Sequence, residues 1–523
     1  MWRDSVAKRR SRYLYLLEGS GVFYDVTCRC LGEWVGSGSH SNREQVIQYV
    51  SACVLAPAMN AYIIWVLKAA LKKDISRLYF LARDGYFMYT TAKTLCERLH
   101  LPIDCRYLSC SRYSIRIPMF HFNMGEAFDY IVRGGIDVTL DKVLNRAGLS
   151  DQDKADVVND IGTEFAEDVI PYADLEKLRT RLEASEVFIS AVKEHSEAAF
   201  PKARDYLEQE GLFDDVSYAF VDSGWTGSMQ KVLGQLLDKC GQGRRLHGFY
   251  WGLYELPADV NADDYECFYF GPAFGTRRKV GFSNCLYESI FSAPHGMTLG
   301  YERRGKRTEP VYADIRDENK EFNDLTGKYL GWFTEALADF ALSGYHLNKP
   351  VSKDDDKNEN SSENVNDRGQ DVNDRVLTER DGLRVLAGLG FAKKNKSRIE
   401  RLTHPEKEDV LRSLLDTFMG TPARHEAVVY GSLPFSDDVL DENEQQVAAE
   451  MTREELDTNH PFKKIMILTG ISKQRIRESA WYEGSVVRNG ADVDKHLRAY
   501  RMYKWMLYGK KEVFRLKGKY INK

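Results

Sequence analysis

"LYFLARDGYFMYTTAKTL", residues 78–95, reads as two halves joined by a charged turn. Leu78 to Ala82 is an apolar run without alternation, as expected of a strand buried on both faces. Beyond it, Met88, Ala92, Leu95 and Leu99 recur at helical spacing and predict a helix over 85–99. Arg83, Asp84 and Gly85 occupy the handover. In a parallel sheet such a turn lies at the carboxyl edge, where ligands collect. Two readings stay open at this point. Asp84 caps the following helix, with Arg83 a solvated charge. Alternatively, Arg83 is a fork for a phosphate or carboxylate and Asp84 a ligand for Mg²⁺ or a hydroxyl.

The flanks extend the pattern. Residues 41–71 read as helix broken near Pro57, with Ser41 and Glu44 spaced as a capping box. "DCRYLSCSRYSI" (104–115) supplies a second strand, and 119–212 is polar-outside helix, an insertion or lid. The α/β pattern returns in "VSYAFVDSGWTGSMQKVLGQLL" (216–237), read as strand, glycine-bearing loop and helix. "LHGFYWGLYEL" (246–256) and "YECFYFGP" (265–272) add two more strands. Strands alternating with helices predict an α/β fold, a doubly wound, mainly parallel sheet covered on both faces. The expected domains are a flexible N-terminal segment (1–40), an α/β core (41–345), a disordered acidic linker (350–375) and a helical C-terminal domain (376–523). The polar composition of the linker cannot repay chain entropy.

At 523 residues the chain exceeds one ordinary domain, and 43% hydrophobic with 29% charged content is normal for a globular protein. A net charge of −5 argues against a general nucleic-acid binder. Nine cysteines, all within the first 285 residues and scattered through apolar segments, fit a reducing compartment. Residues 46–67 are long enough to span a bilayer, but Gln48, Ser51, Pro57 and Asn60 interrupt them, so buried core helix is the expectation.

The second strand-to-helix loop, Asp222 to Ser228, is the richer in chemistry. Gly224 and Gly227 permit conformations closed to other residues and let amides approach an anion. Thr226 and Ser228 offer hydroxyls at a helix N-terminus that favours phosphate. Asp222 would stand beside that phosphate, which requires a bridging Mg²⁺, an intervening hydroxyl, or attack by the carboxylate itself. Asp84 and Asp222 are thus the expected catalytic and metal-binding pair, with Mg²⁺ the expected cofactor. Arg83, Gly85, Gly224, Thr226, Gly227 and Ser228 are the expected phosphate cradle. Arg112, placed with Ser109, Ser111 and Tyr113 at the end of the second strand, is the supplementary anion ligand. His295, in the turn "SAPHGM" close to Glu288, is a candidate acid/base. Loops of the serine hydrolase, zinc protease and Walker types are absent.

The order of strand, Gly-bearing loop, helix, strand, long insertion, strand, Asp-x-x-x-Thr-Gly loop and helix resembles type I phosphoribosyltransferases. That resemblance implies a pyrophosphate loop at Arg83–Gly85, a ribose holder at Asp222 and a phosphate cradle at Thr226–Ser228. The family has two consecutive acidic residues where this chain has Asp222-Ser223. A wider resemblance rests on "LYFLARDGYFM", "CRYLSCSRYSIRIP", "FVDSGWTGSMQ", "CLYESIFSAPHGMTLGYE" and "FMGTPARHEAVVYGSLPFSDD". Together these look like uncharacterised proteins of bacterial surface-polysaccharide gene clusters that commonly carry a haloacid-dehalogenase-superfamily hydrolase label. It implies a cytoplasmic enzyme acting on phosphorylated sugars or nucleotide-sugars. Here Asp222-Ser-Gly-Trp-Thr226 keeps the nucleophile and the threonine of the phosphatase motif, while Gly224 stands where the general acid belongs. The rival expectation is a catalytically silent scaffold that binds phospho-ligands and recruits glycosyltransferases.

The tail 496–523 carries nine Lys or Arg against one Glu, interleaved with aromatics. It is expected to dock on an anionic membrane surface, placing the protein peripherally at the inner face.

Overall fold

The computed structural model describes residues 3–35, 42–134, 138–165, 169–343, Ile399, 408–435 and 446–521, apart from 470, 473 and 475. Its centre is a five-stranded, wholly parallel sheet in the order β2-β1-β3-β4-β5. The strands are β1 (Arg77–Leu81), β2 (Asp104–Leu108), β3 (Tyr218–Trp225), β4 (His247–Leu253) and β5 (Tyr265–Phe270). A period of two splits each strand between two cores. Leu78, Phe80, Ala219 and Val221 face one hydrophobic cluster, and Tyr79, Leu81, Tyr218 and Phe220 face the other.

The first cluster is built on a long helical stretch that precedes the sheet. Helix α3 (Asn42–Val50) runs through a π-helical turn (Ser51–Leu55) into α4 (Ala56–Lys72). The break expected at Pro57 is therefore a widened turn. Proline lacks an N–H, and Pro57 falls at the start of α4, where the hydrogen-bond ladder is already shifting. Asn42–Lys72 is long and apolar enough to cross a membrane, yet 94% of its most apolar window is buried inside the protein. Helix α5 (Gly85–Leu99), which follows β1, packs on the same face together with α15 (Asp317–Ser343).

The opposite face is covered by α11 (Glu186–Gln209) and α12 (Ser228–Lys239). Helix α11 closes the helical insertion, which has its own core formed by α6 (Arg112–Arg116), α7 (Met124–Ile131), α8 (Leu140–Arg146), α9 (Asp151–Ile161) and α10 (Leu175–Glu183). Phe188 and Val192 of α11 belong to that core and Tyr206 and Leu207 to the sheet's, so one helix ties the insertion down.

Four expectations need correction. The N-terminal segment 1–40 is not a flexible end over its described part. Helices α1 (Val6–Leu17) and α2 (Val22–Val35) bury Tyr13, Leu17 and Phe23. The second strand stops at Leu108, because Ser111 caps α6 with its own capping box and draws Arg112 and Tyr113 into that helix. After β5 come two short helices, α13 (Thr276–Val280) and α14 (Asn284–Ile290). An antiparallel hairpin not read from the sequence follows, β6 (Thr298–Arg304) with β7 (Arg307–Tyr312). Last, the described C-terminal helices share the core of the sheet. Trp481 donates to the Met419 carbonyl at 2.8 Å, Lys504 to the Phe282 carbonyl at 3.2 Å, and one apolar cluster runs from Tyr13 to Val493. The linker 350–375 lies outside the described residues.

Candidate functional site at the sheet's carboxyl edge

Strands β1 and β3 are neighbours, with Phe80 opposite Val221, and the chain leaves them in opposite lateral directions, toward β2 and toward β4. The turns after these two strands therefore open a crevice between them, the position that open α/β sheets use for ligands. Asp84 and Asp222 both stand there.

The geometry removes the capping role expected of the Asp84 side chain. It occupies the N-cap position of α5, but its backbone is helical and its side chain accepts no capping hydrogen bond. Instead Ser223 Oγ donates to Asp84 Oδ2 at 2.6 Å, across the crevice from the other loop. Gly85 is needed for packing, since a Cβ there would lie 3.0 Å from the Phe80 carbonyl carbon. The start of α5 is thus pressed onto β1 and aims Asp84 at β3.

Asp222 Oδ1 accepts from the Ser223 amide at 2.9 Å, while Tyr62 from α4 donates to the Asp222 carbonyl at 3.1 Å and fixes the strand end. Burial pushes the Asp222 carboxyl up to about 7, and the nearby charge of Asp84 adds to the shift. Asp84 is itself raised by burial, opposed by the Ser223 hydrogen bond and by Arg83 and Arg112. A third carboxyl joins them. Glu288, on α14, accepts from Trp225 Nε1 at 2.5 Å and is pushed up to about 8 by burial and then by Asp84. Sequence reading had noticed Glu288 only as a neighbour of His295. Its signal was weak, because the apolar face of "CLYESIF" reads as an ordinary core helix.

Arg83 and Arg112 act electrostatically on Asp84 and Glu288. Among the described residues neither guanidinium closes an ion pair or hydrogen bond with a side chain. Both forks are therefore open to an anion.

His295 is placed differently from expectation. Its Nδ1 donates to the Gly296 carbonyl at 2.8 Å, an oxygen that can only accept, so Nε2 is the acceptor for the Tyr107 hydroxyl at 2.9 Å. Burial lowers its pKa and holds the ring neutral. The β6–β7 hairpin presses on it through Tyr312, with ring centroids 4.1 Å apart. Both nitrogens are thus engaged, and His295 holds Tyr107, a ring that feels the charge of Asp84.

The glycine-bearing loop divides by role. At Gly224 φ is +107°, and a Cβ would lie 2.7 Å from the Gly252 carbonyl oxygen, so this glycine serves the approach of β3 to β4. Gly227, at φ +61°, is the N-cap of α12 and offers no side chain to it, leaving the first amides of that helix open. Thr226 Oγ1 donates to Ser228 Oγ at 3.3 Å, so the two hydroxyls form one polar rim there. No protein-family model and no curated protein matches this chain. The site is thus read from its own geometry.

As for a metal, no group of three or more His, Cys, Asp or Glu that could hold an ion occurs among the described residues. Asp84 and Asp222 offer a carboxylate pair, which suffices for Mg²⁺ only when phosphate oxygens and water complete the octahedron.

Proposed function

We propose that this protein is an enzyme of phosphate-ester or phospho-sugar chemistry, a hydrolase or transferase, with the crevice between β1 and β3 as its reaction centre. The observation that carries the reading is the pairing of buried carboxyls from two loops, flanked by two arginines that, among the described residues, close no ion pair or hydrogen bond with a side chain. In such a doubly wound arrangement Arg83 and Arg112 would grip the phosphate, and the Thr226–Ser228 rim and open amides of α12 would hold a second anionic group. Burial raises the proton affinity of all three carboxyls, and their different hydrogen-bond partners sort them into roles. Asp84 is raised by burial and drawn back toward its anionic form by the Ser223 hydrogen bond and by Arg83 and Arg112. Glu288 retains its proton at neutral pH and supplies the general acid that Gly224 cannot. Asp222 lies between them as nucleophile, base or metal ligand. Mg²⁺, shared by Asp84, Asp222 and the phosphate, would neutralise charge there. The surface-polysaccharide setting, with phosphorylated sugars or nucleotide-sugars as substrates, comes from the sequence resemblance, as does a cytoplasmic location.

A phosphoribosyltransferase-like reaction is a narrower form of the same reading, with Asp222 on the ribose hydroxyls. One observation favours a second reading, a binding scaffold without turnover: among the described residues no cluster of three or more metal-ligating side chains supports the Asp84–Asp222 pair. Calorimetric titration of sugar phosphates and nucleotide-sugars with and without Mg²⁺, followed by product analysis, separates these. The enzyme reading expects Mg²⁺-dependent turnover lost in Glu288→Gln while binding persists. Binding with no turnover in the wild type supports the scaffold, and no binding of any phospho-ligand defeats both.

A further inference from the structure

Two neighbouring C-terminal helices are amphipathic in the inverted sense. Helices Pro461–Leu468 and Val493–Ile521 pack side by side, and each turns one lysine inward. Lys464 is buried against Glu478 at 3.1 Å, with its ammonium 5.1 Å from the centre of the Tyr503 ring. Lys504 is buried against Glu483 at 2.7 Å. On the far side, Phe462, Ile465 and Met466 repeat the spacing of Met502, Trp505 and Met506. Each triad is i, i+3, i+4, a single stripe on its helix. All six side chains are exposed, Phe462 by 66%, and Ile471 just beyond the first helix is exposed by 72%. Scattered apolar residues on a surface need no explanation, but two matched stripes on touching helices do.

Charge selects the occupant. Residues 461–523 hold 16 Lys or Arg against five Asp or Glu; without the buried pairs Lys464–Glu478 and Lys504–Glu483 the balance is 14 against three, in a chain whose net charge is −5. A second copy would set this positive region against itself across a twofold axis. An anionic bilayer complements it, and aromatic and aliphatic side chains framed by basic residues are the composition of a surface-lying helix.

We propose that this two-helix face docks on an anionic lipid bilayer, with Phe462, Ile465, Met466, Met502, Trp505 and Met506 entering the acyl region. The surface is wider than the basic tail alone, since half of its apolar anchors precede residue 496. It does not depend on the reaction proposed above, although the long helix does reach the reaction centre. Tyr508 stacks on Tyr254 at 5.6 Å, and Tyr254 lies 6.2 Å from Trp225, the donor to Glu288.

The test is flotation of the full chain with phosphatidylcholine vesicles with and without phosphatidylglycerol, at low and high salt. The protein is expected to float with the anionic vesicles at low salt and to be released by high salt. Phe462→Ser with Met466→Ser, and Met502→Ser with Trp505→Ser, should each weaken binding about ten-fold or more, given the apolar area withdrawn from lipid. Both pairs replace exposed side chains, so unchanged melting is expected. The intact chain's own preference between the two vesicles also tests the proposal without any variant. Failure to float with anionic vesicles, equal flotation with neutral ones, or double variants that bind as the wild type would overturn it. So would a dimer in solution that these substitutions dissolve, which would make a second copy the occupant.

Discussion

Asp222 is a carboxyl whose surroundings disfavour its charge, and this gives its substitution a distinctive signature. Its ordinary value is 3.8 and burial raises it to about 7 in the folded protein. The folded state therefore binds the proton more tightly than the unfolded one. That stabilising contribution is complete below the unfolded value and is lost as pH rises toward 7. Asp222→Asn removes the charge and keeps the shape. It should melt higher than the wild type at pH 8, and the difference should shrink at pH 5; a gap independent of pH would show that the carboxyl is not strained. Glu288 gives a second readout. The Trp225 indole donates to it and lowers its proton affinity. Trp225→Phe should therefore move the basic limb of any pH profile upward from about 8. A limb that stays in place would remove Glu288 from the role of acid.

The loop after β3 is fixed by its fit to β4 more than by any ligand. Gly224 has both a left-handed backbone and a carbonyl oxygen where a Cβ would go. Gly224→Ala should cost roughly 2–4 kcal/mol in thermal or denaturant unfolding, since strain and steric displacement add. At this scale the sequence was informative wherever periodicity was strong. The buried run Leu78–Leu81 and the amphipathic α5, like Tyr218–Val221 followed by α12, were legible because strand and helix periods differ so clearly. The β6–β7 hairpin was missed, because its two-residue turn, Gly305-Lys306, lies within "ERRGKRTE", which reads as solvated charge. Its apolar cues, Leu299, Tyr301, Val311 and Tyr312, are few and separated by that charged stretch. The end of β2 was misread because "LSCSRYSI" continues to alternate, and the Ser111 capping box wins over that alternation. Both misses affect the site, since the hairpin holds His295 and the early end of β2 frees Arg112.

Across the whole molecule, the N-terminal helix α1 is tied to the C-terminal helices through a buried ion pair. Arg9 Nε donates to both oxygens of Glu426 at 3.1 Å, and Tyr13 and Tyr49 donate to the same carboxylate at 2.8 and 2.9 Å. Glu426→Ala leaves a buried guanidinium without its counter-charge, which should cost about 3–5 kcal/mol. Proteolysis would then be expected to open near the N-terminus first; an unchanged melting temperature would contradict this. No sequence pattern announces a contact between residues 417 apart, which is why α1 and α2 looked like a loose end. The site itself was half legible. Asp84, Arg83, Asp222 and Arg112 converge as expected, whereas Glu288 comes from a helix that carries no motif.

The central claim is that Arg83 and Asp84 face the Asp222 loop across one anion site, and that Asp84 is not a helix cap. Calorimetric titration of a sugar phosphate with Mg²⁺ into the wild type, Asp84→Ala, Asp84→Asn and Asp222→Asn tests it most directly, with melting at pH 6 measured in parallel. The account predicts binding lost in Asp222→Asn and Asp84→Ala and weakened in Asp84→Asn. It also predicts that any stability Asp84→Ala loses relative to Asp84→Asn disappears in a Ser223→Ala background, because the bond Asp84 accepts comes from Ser223 and not from the amides of its own helix. Unchanged binding in all three variants, with Asp84→Ala destabilised by about 1 kcal/mol even in the Ser223→Ala background, would contradict it and return Asp84 to the role of a cap.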